Sequence, residues 1–264
     1  MSLKQSLGIG YSIPNAALAF SNLLRDPDDT KNVTRFRDAV NPHWYDQAVT
    51  RFRATSAGQR LIAKRDAIYE VLVDRDYLAS LPDGSVGKLY FDFTEANDLS
   101  PDGFRETYHA LGHDLSKFDA DAALVHYRII DIHDLLHIVT GYGRETFGEV
   151  CILAYQGIEF EDRGLLWLSY TASLRVKLIC KSYPVFACIT EAKRIAHASN
   201  DMATADWRAL MPAPLEEARA ALNLAPPAIY WEHRNEWLRA DRLYRARLSG
   251  SAHGAPSSEA APPS

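Results

Sequence analysis

Residues 119–143 read DADAALVHYRIIDIHDLLHIVTGYG, and the fold class turns on this stretch. Ala122, Leu124, Val125, Ile129, Ile130, Ile132, Leu135, Leu136 and Ile138 recur at the three- and four-residue intervals of a helix with a buried face. Asp119 or Asp121 can cap its start, and Gly141 and Gly143 stop it. The spacing predicts one helix over 120–140. A second apolar run, Phe147 to Phe160, follows almost at once, so two helices are joined by a glycine turn.

The same period spreads outward. Ser56-Ala-Gly-Gln59 has the form of a capping box ahead of Leu61, Ile62, Ala63, Ile68, Tyr69 and Leu72. Helices are expected at 164–181, 184–199, 214–222 and 228–248, with Pro184 at a helix start and Pro212, Pro214, Pro226 and Pro227 as punctuation. Only Lys88–Phe93 (KLYFDF) alternates like a strand, and one such segment cannot make a sheet. The expected fold is all-α, a single multi-helix domain over 1–248. From Ser249 to Ser264, fourteen of sixteen residues are Ser, Ala, Pro or Gly. With almost nothing to bury, 249–264 is expected to be a disordered tail.

Composition narrows the classes. The 264 residues are 47% apolar and 24% charged, the balance of a folded soluble protein. A net charge of −5 argues against a nucleic-acid reader driven by bulk positive charge. Cys151, Cys180 and Cys188 form no CxxC pair, which argues against a disulfide framework or a cysteine zinc ribbon. No apolar run approaches the roughly 18 residues of a membrane-spanning helix. The first twenty residues carry one Lys, and Tyr11, Ser12, Pro14 and Asn15 interrupt their apolar stretch. They read as neither a secretory leader nor a transit peptide, so a cytoplasmic protein is expected.

The chemistry lies in His133-Asp134-Leu135-Leu136-His137. Side chains four apart on a helix stand one above the other, about 6 Å apart. A divalent ion with bonds near 2 Å can bridge that gap. Asp134 sits at the edge of the same face, as a ligand or instead as a base or an orienter of the ligands. Glu149 follows twelve residues after His137, and a helix returning antiparallel from the glycine turn would bring it back to the histidines. Metal ligands His133, Asp134, His137 and Glu149 are therefore expected between the two helices. A bare HxxxH pair is common; the acidic partners raise it above a pair of ordinary histidines. The His-Asp doublet also occurs in metal phosphohydrolases, which need further His and Asp ligands.

Other residues have plainer readings. His126 lies on the same stripe but about 10.5 Å up the axis, as a core or surface histidine. His109 and His113 read as a solvated pair, and Glu159, Glu161 and Asp162 as a polar helix end. Leu165, Leu166, Trp167, Leu168, Tyr170, Leu174 and Val176 suit core packing, or else a groove for an apolar chain. Arg175, Lys177, Lys181, Lys193 and Arg194 read as solvated, or as receivers of an acidic headgroup. Tyr230, Trp237 and Tyr244 recur every seven residues among arginines. That suits a helix on an anionic membrane surface, or one docked on the domain or on a second subunit.

The HDxxH motif of residues 133–137, followed by eleven residues and Glu149, resembles the signature of the fourth coenzyme Q (ubiquinone) biosynthesis protein family. The flanking Tyr127-Arg128 and Gly148 agree, as do the segment LPDGSVG at 81–87, Tyr90, Phe93 and Ser100-Pro101-Asp102. Pro214-Leu215-Glu216-Glu217-Ala218-Arg219, Leu222 and Pro226-Pro227 are similar to the family's C-terminal block. The resemblance covers roughly 75 to 230, with 1–74 matching more loosely. It implies an all-helical protein with a divalent metal, usually zinc, at the HDxxH…E residues. It also implies a substrate ring bearing a polyprenyl tail, met at a membrane surface.

The implied activity is loss of the ring carboxylate at C1, in some accounts coupled to hydroxylation there. The implied alternative is a non-catalytic scaffold gathering the other ubiquinone-biosynthesis enzymes. Iron, manganese and magnesium stay open beside zinc, and two His with a carboxylate would suit iron in a hydroxylating version. The expected partners are a polyprenylated 4-hydroxybenzoate-type ring, the other ubiquinone-biosynthesis enzymes, the inner face of a membrane and a second copy in a homodimer, with no nucleic acid.

Overall fold

The computed structural model describes residues 12–25, 30–110 and 119–252, and among them every regular element is a helix. The chain begins with α1 (Ile13–Arg25), α2 (Thr30–Val40), α3 (Trp44–Ala54), α4 (Ser56–Lys64), α5 (Tyr69–Leu72) and α6 (Arg75–Ser80). Then come α7 (Val86–Ala96), α8 (Pro101–Ala110), α9 (Ala120–Asp131), α10 (His133–Thr140) and α11 (Thr146–Glu159). It continues through α12 (Arg163–Ile179), α13 (Val185–Ala198), α14 (Trp207–Leu210), α15 (Leu215–Ala221) and α16 (Ala228–Ala252).

α11 is central because its sequence is apolar nearly all round. Ten of its residues are buried, among them Phe147, Val150, Cys151, Ile152, Ala154 and Tyr155. α12 and α13 flank it, and α2 carries the α1–α2 pair against α12. α3 and α4 pack on α9, while α7 and α15 pack on α10. The principal core joins Leu135, Leu136 and Val139 of α10 to Ile189 and Ala192 of α13 and to Trp207 and Trp237. A smaller core under α1 and α2 holds Ala16, Ala19, Leu23, Phe36, Ala39 and Leu168.

Several expectations change. Lys88–Phe93 is part of α7, whose start Ser85 caps by accepting the Lys88 N–H at 3.3 Å. Its buried residues Val86, Gly87, Tyr90 and Thr94 keep helical spacing, and Lys88 pairs with Asp92 one turn on at 2.8 Å. The short alternation sits on top of that longer period. The capping box shifts by one residue: Thr55 accepts the Gly58 N–H at 3.0 Å, and Gln59 donates to the Arg53 carbonyl at 2.9 Å. The helix over 120–140 divides at Ile132. No Pro or Gly signals that break; it falls where Arg105 of α8 grips Asp131 through two bonds of 2.9 and 2.6 Å.

The supposed polar helix end is largely interior. Glu159 accepts the Met202 N–H, and buried Asp162 caps α12 while holding Arg37 and Asn41. Only Glu161 of the three is exposed. α16 runs to Ala252, into the segment expected to be a tail, and residues 253–264 lie outside the described residues.

Candidate metal centre

α10 ends where Gly141 turns left-handed at φ 83°, a conformation open to a residue without Cβ. The chain then passes through Tyr142, Gly143 and Arg144 and re-enters a helix at Thr146. Gly148 lets that helix lie directly on the turn: a Cβ there would sit 1.9 Å from the Gly143 carbonyl oxygen. Glu149, in the first turn of α11, is thereby set against His133 and His137.

The His133 and His137 rings stand edge to face, 5.1 Å between centroids. His137 Nδ1–H donates to the Tyr142 carbonyl at 3.0 Å, which leaves the Nε2 lone pair free. That Nε2 is buried, has no hydrogen-bond partner, and lies 3.5 Å from Glu149 Oε1. His133 Nε2 lies 3.9 Å from Glu149 Oε2, and His133 Nδ1 meets the Gln156 side-chain amide at 3.2 Å. Phe93 stacks on His137 at 5.7 Å. One ligand atom from each of His133, His137 and Glu149 falls within 4.8 Å of the others, which suits a single ion with bonds near 2 Å.

The three groups also shift one another's protonation. Burial lowers the His133 pKa, and the neighbouring His137 lowers it further. Burial works against charge on His137 too, but the Glu149 carboxylate holds it above its ordinary value. Glu149 is correspondingly lowered, burial being outweighed by His137 and His133.

Asp134 is not part of this cluster. It stands beside it on the wall of a 470 Å³ cavity, together with His133, Glu149 and Arg144. The cavity then runs along Val150, Leu153, Leu168 and Ala172 to Phe20, Leu23 and Leu24 of α1, with Arg175 at that end. Three participants escaped the sequence reading. Gln156 and the Tyr142 carbonyl orient the imidazoles, and exposed Arg144 brings a cation to the cavity beside Glu149. A polar residue two helical turns beyond Glu149, on the same face, is a usable signal for Gln156. A backbone carbonyl leaves none.

The remaining candidates separate cleanly. His126 is a core histidine, edge-on to Trp44 and Tyr45 at 5.5 and 4.1 Å. His109 is exposed and bonded to Tyr127 at 3.1 Å, while His113 lies outside the described residues. In α12, Leu165 and Leu168 line the cavity and Val176 enters the core, whereas Trp167 and Leu174 face outward. Arg175 donates to the Leu24 carbonyl at 2.8 Å, and Lys177 and Lys193 are also bonded rather than merely solvated. Tyr230 and Trp237 are fully buried, so α16 docks on the domain through its aromatic stripe. Truncating a buried Trp of this kind costs about 3–5 kcal/mol.

Fold and site together define an all-helical protein with a His-His-Glu cluster, buried at His137, beside a cavity of mixed polar and apolar lining. The sequence model for the coenzyme Q (ubiquinone) biosynthesis protein Coq4 matches residues 13–228, and the chain belongs to that family. The match takes in α1 to α5, beyond the roughly 75–230 of the motif resemblance.

The chain is 30% identical over 110 residues to the mitochondrial ubiquinone biosynthesis protein coq-4 of Caenorhabditis elegans, covering 42% of this chain and 45% of the relative. It is 25% identical over 195 residues to the mitochondrial ubiquinone biosynthesis protein coq4 of Aspergillus flavus, covering 74% and 66%. The chain thus spans less than two thirds of either relative. A Nostoc punctiforme protein of known crystal structure shares the fold, with a TM-score of 0.60 and 19% identity over 81% of this chain and 98% of that one. Both named relatives are mitochondrial, which gives a cytoplasmic location no support. No helix among the described residues is long and apolar enough to cross a membrane.

Proposed function

We propose that the protein is a metal-dependent lyase of ubiquinone biosynthesis that removes the C1 carboxylate from a polyprenylated 4-hydroxybenzoate-type ring. The observation that carries this reading is the cavity lined by His133, Glu149, Asp134 and Arg144 at one part and mainly by apolar side chains of α1 and α12 at another. Its 470 Å³ suits a ring and the first part of a tail. His133, His137 and Glu149 hold the ion in this reading, zinc first, with iron, manganese or magnesium as alternatives. A divalent ion bound there would supply Lewis acidity for the electron pair left as carbon dioxide departs.

The chain's own groups do the rest. Arg144 receives the ring carboxylate at the cavity rim, and the apolar wall keeps water from the tail. Loss of carbon dioxide leaves C1 in need of a proton, and Asp134, beside the metal rather than a member of its ligand cluster, relays one to it from water. The tail leaves between α1 and α12, where exposed Leu24, Leu174 and Leu178 suit an acyl-chain surface, so the protein works peripherally on a membrane. Other ubiquinone-biosynthesis enzymes and a second copy of the chain are its further partners.

The phosphohydrolase alternative needs more His and Asp ligands, and His133, His137 and Glu149 are the one such group among the described residues. The scaffold alternative is separated by chemistry. Cells lacking the protein should accumulate a carboxylated polyprenyl ring, read by mass spectrometry. Asp134→Asn should fail to restore quinone, by about 10²–10⁴-fold in rate, while keeping metal and partner enzymes. Normal quinone from Asp134→Asn would remove Asp134 from the chemistry and favour the scaffold.

A further inference from the structure

The turn between His137 and Glu149 is held from outside as well as by its own bonds. Among the described residues, the α16 side chains Tyr230 and Arg234 converge on it. The Gly143 N–H donates to the Tyr230 hydroxyl at 2.8 Å, and that hydroxyl in turn donates to Glu145. Arg234 Nε lies 3.1 Å from the same hydroxyl and 3.2 Å from the same carboxylate. The Tyr230 ring stands edge-on to Tyr142 at 5.1 Å, the residue whose carbonyl orients His137. Glu145 is the residue before α11, and its carbonyl accepts the Glu149 N–H at 3.0 Å.

The clamp is anchored at its far end. Buried Glu191 of α13 accepts the N–H groups of Ile229 at 3.1 and 3.0 Å and of Tyr230 at 3.3 Å, capping α16 from another helix. Arg219 of α15 closes the other side by donating to the Val139 carbonyl at 2.8 Å. Tyr230 and Arg234 both lie beyond residue 228, where the family match ends.

We infer that Tyr230, with Glu145 and Arg234, is a positioning residue for the metal centre: it fixes the 141–145 turn that aims His137 and starts the helix of Glu149. This rests on the metal reading of the cluster. Neither Tyr230 nor Arg234 belongs to the ligand cluster or lines the cavity. They act through Gly143 and Glu145 as outer partners, whose loss typically weakens metal binding about 10–100-fold.

The test titrates metal-stripped full-length protein with Zn²⁺ and Co²⁺, reading affinity by calorimetry and geometry by the cobalt absorption spectrum. Tyr230→Phe keeps the ring packing and removes only the hydroxyl. It should weaken both ions about tenfold, shift the cobalt spectrum and speed amide exchange at Gly143. Arg234→Met, at a half-buried site that tolerates change, should lose a smaller factor in the same direction. Tyr183→Phe removes another buried hydroxyl from the same aromatic cluster, one that makes no hydrogen bond to the turn, and should bind like wild type. If wild type binds neither ion, the metal reading itself is overturned. If wild type and Tyr230→Phe bind equally with the same spectrum, the clamp is overturned and the metal reading stands.

Discussion

Gly148→Ala is the sharpest perturbation of the centre, because its effect can be worked from one contact. The added Cβ would meet the Gly143 oxygen at 1.9 Å, its carbonyl carbon at 2.6 Å and its nitrogen at 2.9 Å, all backbone atoms. Reaching even the 3.0 Å floor for a Cβ contact requires turn and helix to part by about 1.1 Å. Metal–ligand bonds tolerate roughly 0.2 Å, so the separation between His137 and Glu149 leaves the range one ion can span. Overpacking of this kind costs about 1–3 kcal/mol, a melting-point loss of roughly 2–12 °C in a domain of this size, which leaves a folded protein. Zinc affinity should fall at least about tenfold.

Gly58→Ala is the matched control. It sits on α4, which carries no residue of the cluster, and its Cβ would meet the Phe52 carbonyl oxygen at 2.0 Å and carbonyl carbon at 2.8 Å. It should lower the melting point and leave zinc affinity alone. Calorimetric zinc titration beside thermal melts reads both. Wild-type affinity in a destabilised Gly148→Ala would refute the argument that this contact sets the ligand geometry.

His137→Ala should purify without metal, by elemental analysis, while circular dichroism stays helical, since the cluster joins only two of the helices. Burial lifts the Glu159 carboxyl from 4.5 to about 8. The folded chain therefore keeps a proton there that the unfolded chain gives up, and that stability is complete below pH 4.5 and drains away as pH rises to about 8. Glu159→Gln should melt like wild type in acid and higher than wild type near pH 9, by up to a few kcal/mol; equal pH profiles would refute it. Replacing Leu174 and Leu178, exposed at 53% and 76%, with Glu should abolish co-sedimentation with anionic liposomes at an unchanged melting point. Undiminished sedimentation would move membrane contact elsewhere.

What the sequence displayed and what it hid divide along a physical line. The apolar period over 122–138, the Asp119 cap and the two glycines are local signals, and they located α9, α10 and the approach of Glu149. Ile132 gave no local sign of a break, since the pull on Asp131 comes from Arg105, far away in the chain. Asp134 shared a helical face with the histidines on paper. The cluster nevertheless closes on Glu149 without it, because the returning helix approaches from one side. Glu159 and Asp162 looked like a solvated end, as acidic clusters usually are. Their partners, Met202, Arg37 and Asn41, lie far off in sequence and come together only in the fold.

The aromatic stripe of α16 shows how a pattern can fix a face without fixing what the face meets. Tyr230, Trp237 and Tyr244, seven apart among arginines, describe a surface-lying helix and a docked one equally well. A helix lying on lipid keeps its stripe outward, whereas α16 turns Tyr230 and Trp237 wholly inward. That burial takes Tyr230 and Trp237 out of any outward face, although α16 still exposes Trp231 and Leu243. Of the eleven exposed large apolar side chains among the described residues, six lie on α1 and α12: Ile13, Leu18, Leu24, Trp167, Leu174 and Leu178. The same two helices supply Phe20, Leu23, Leu24, Leu168 and Ala172 to the cavity wall. An apolar surface and a largely apolar cavity wall built from the same two helices and meeting at Leu24 are what a substrate with its ring at the metal and its tail in a bilayer would need, so α1 and α12, rather than α16, face the lipid in our proposal.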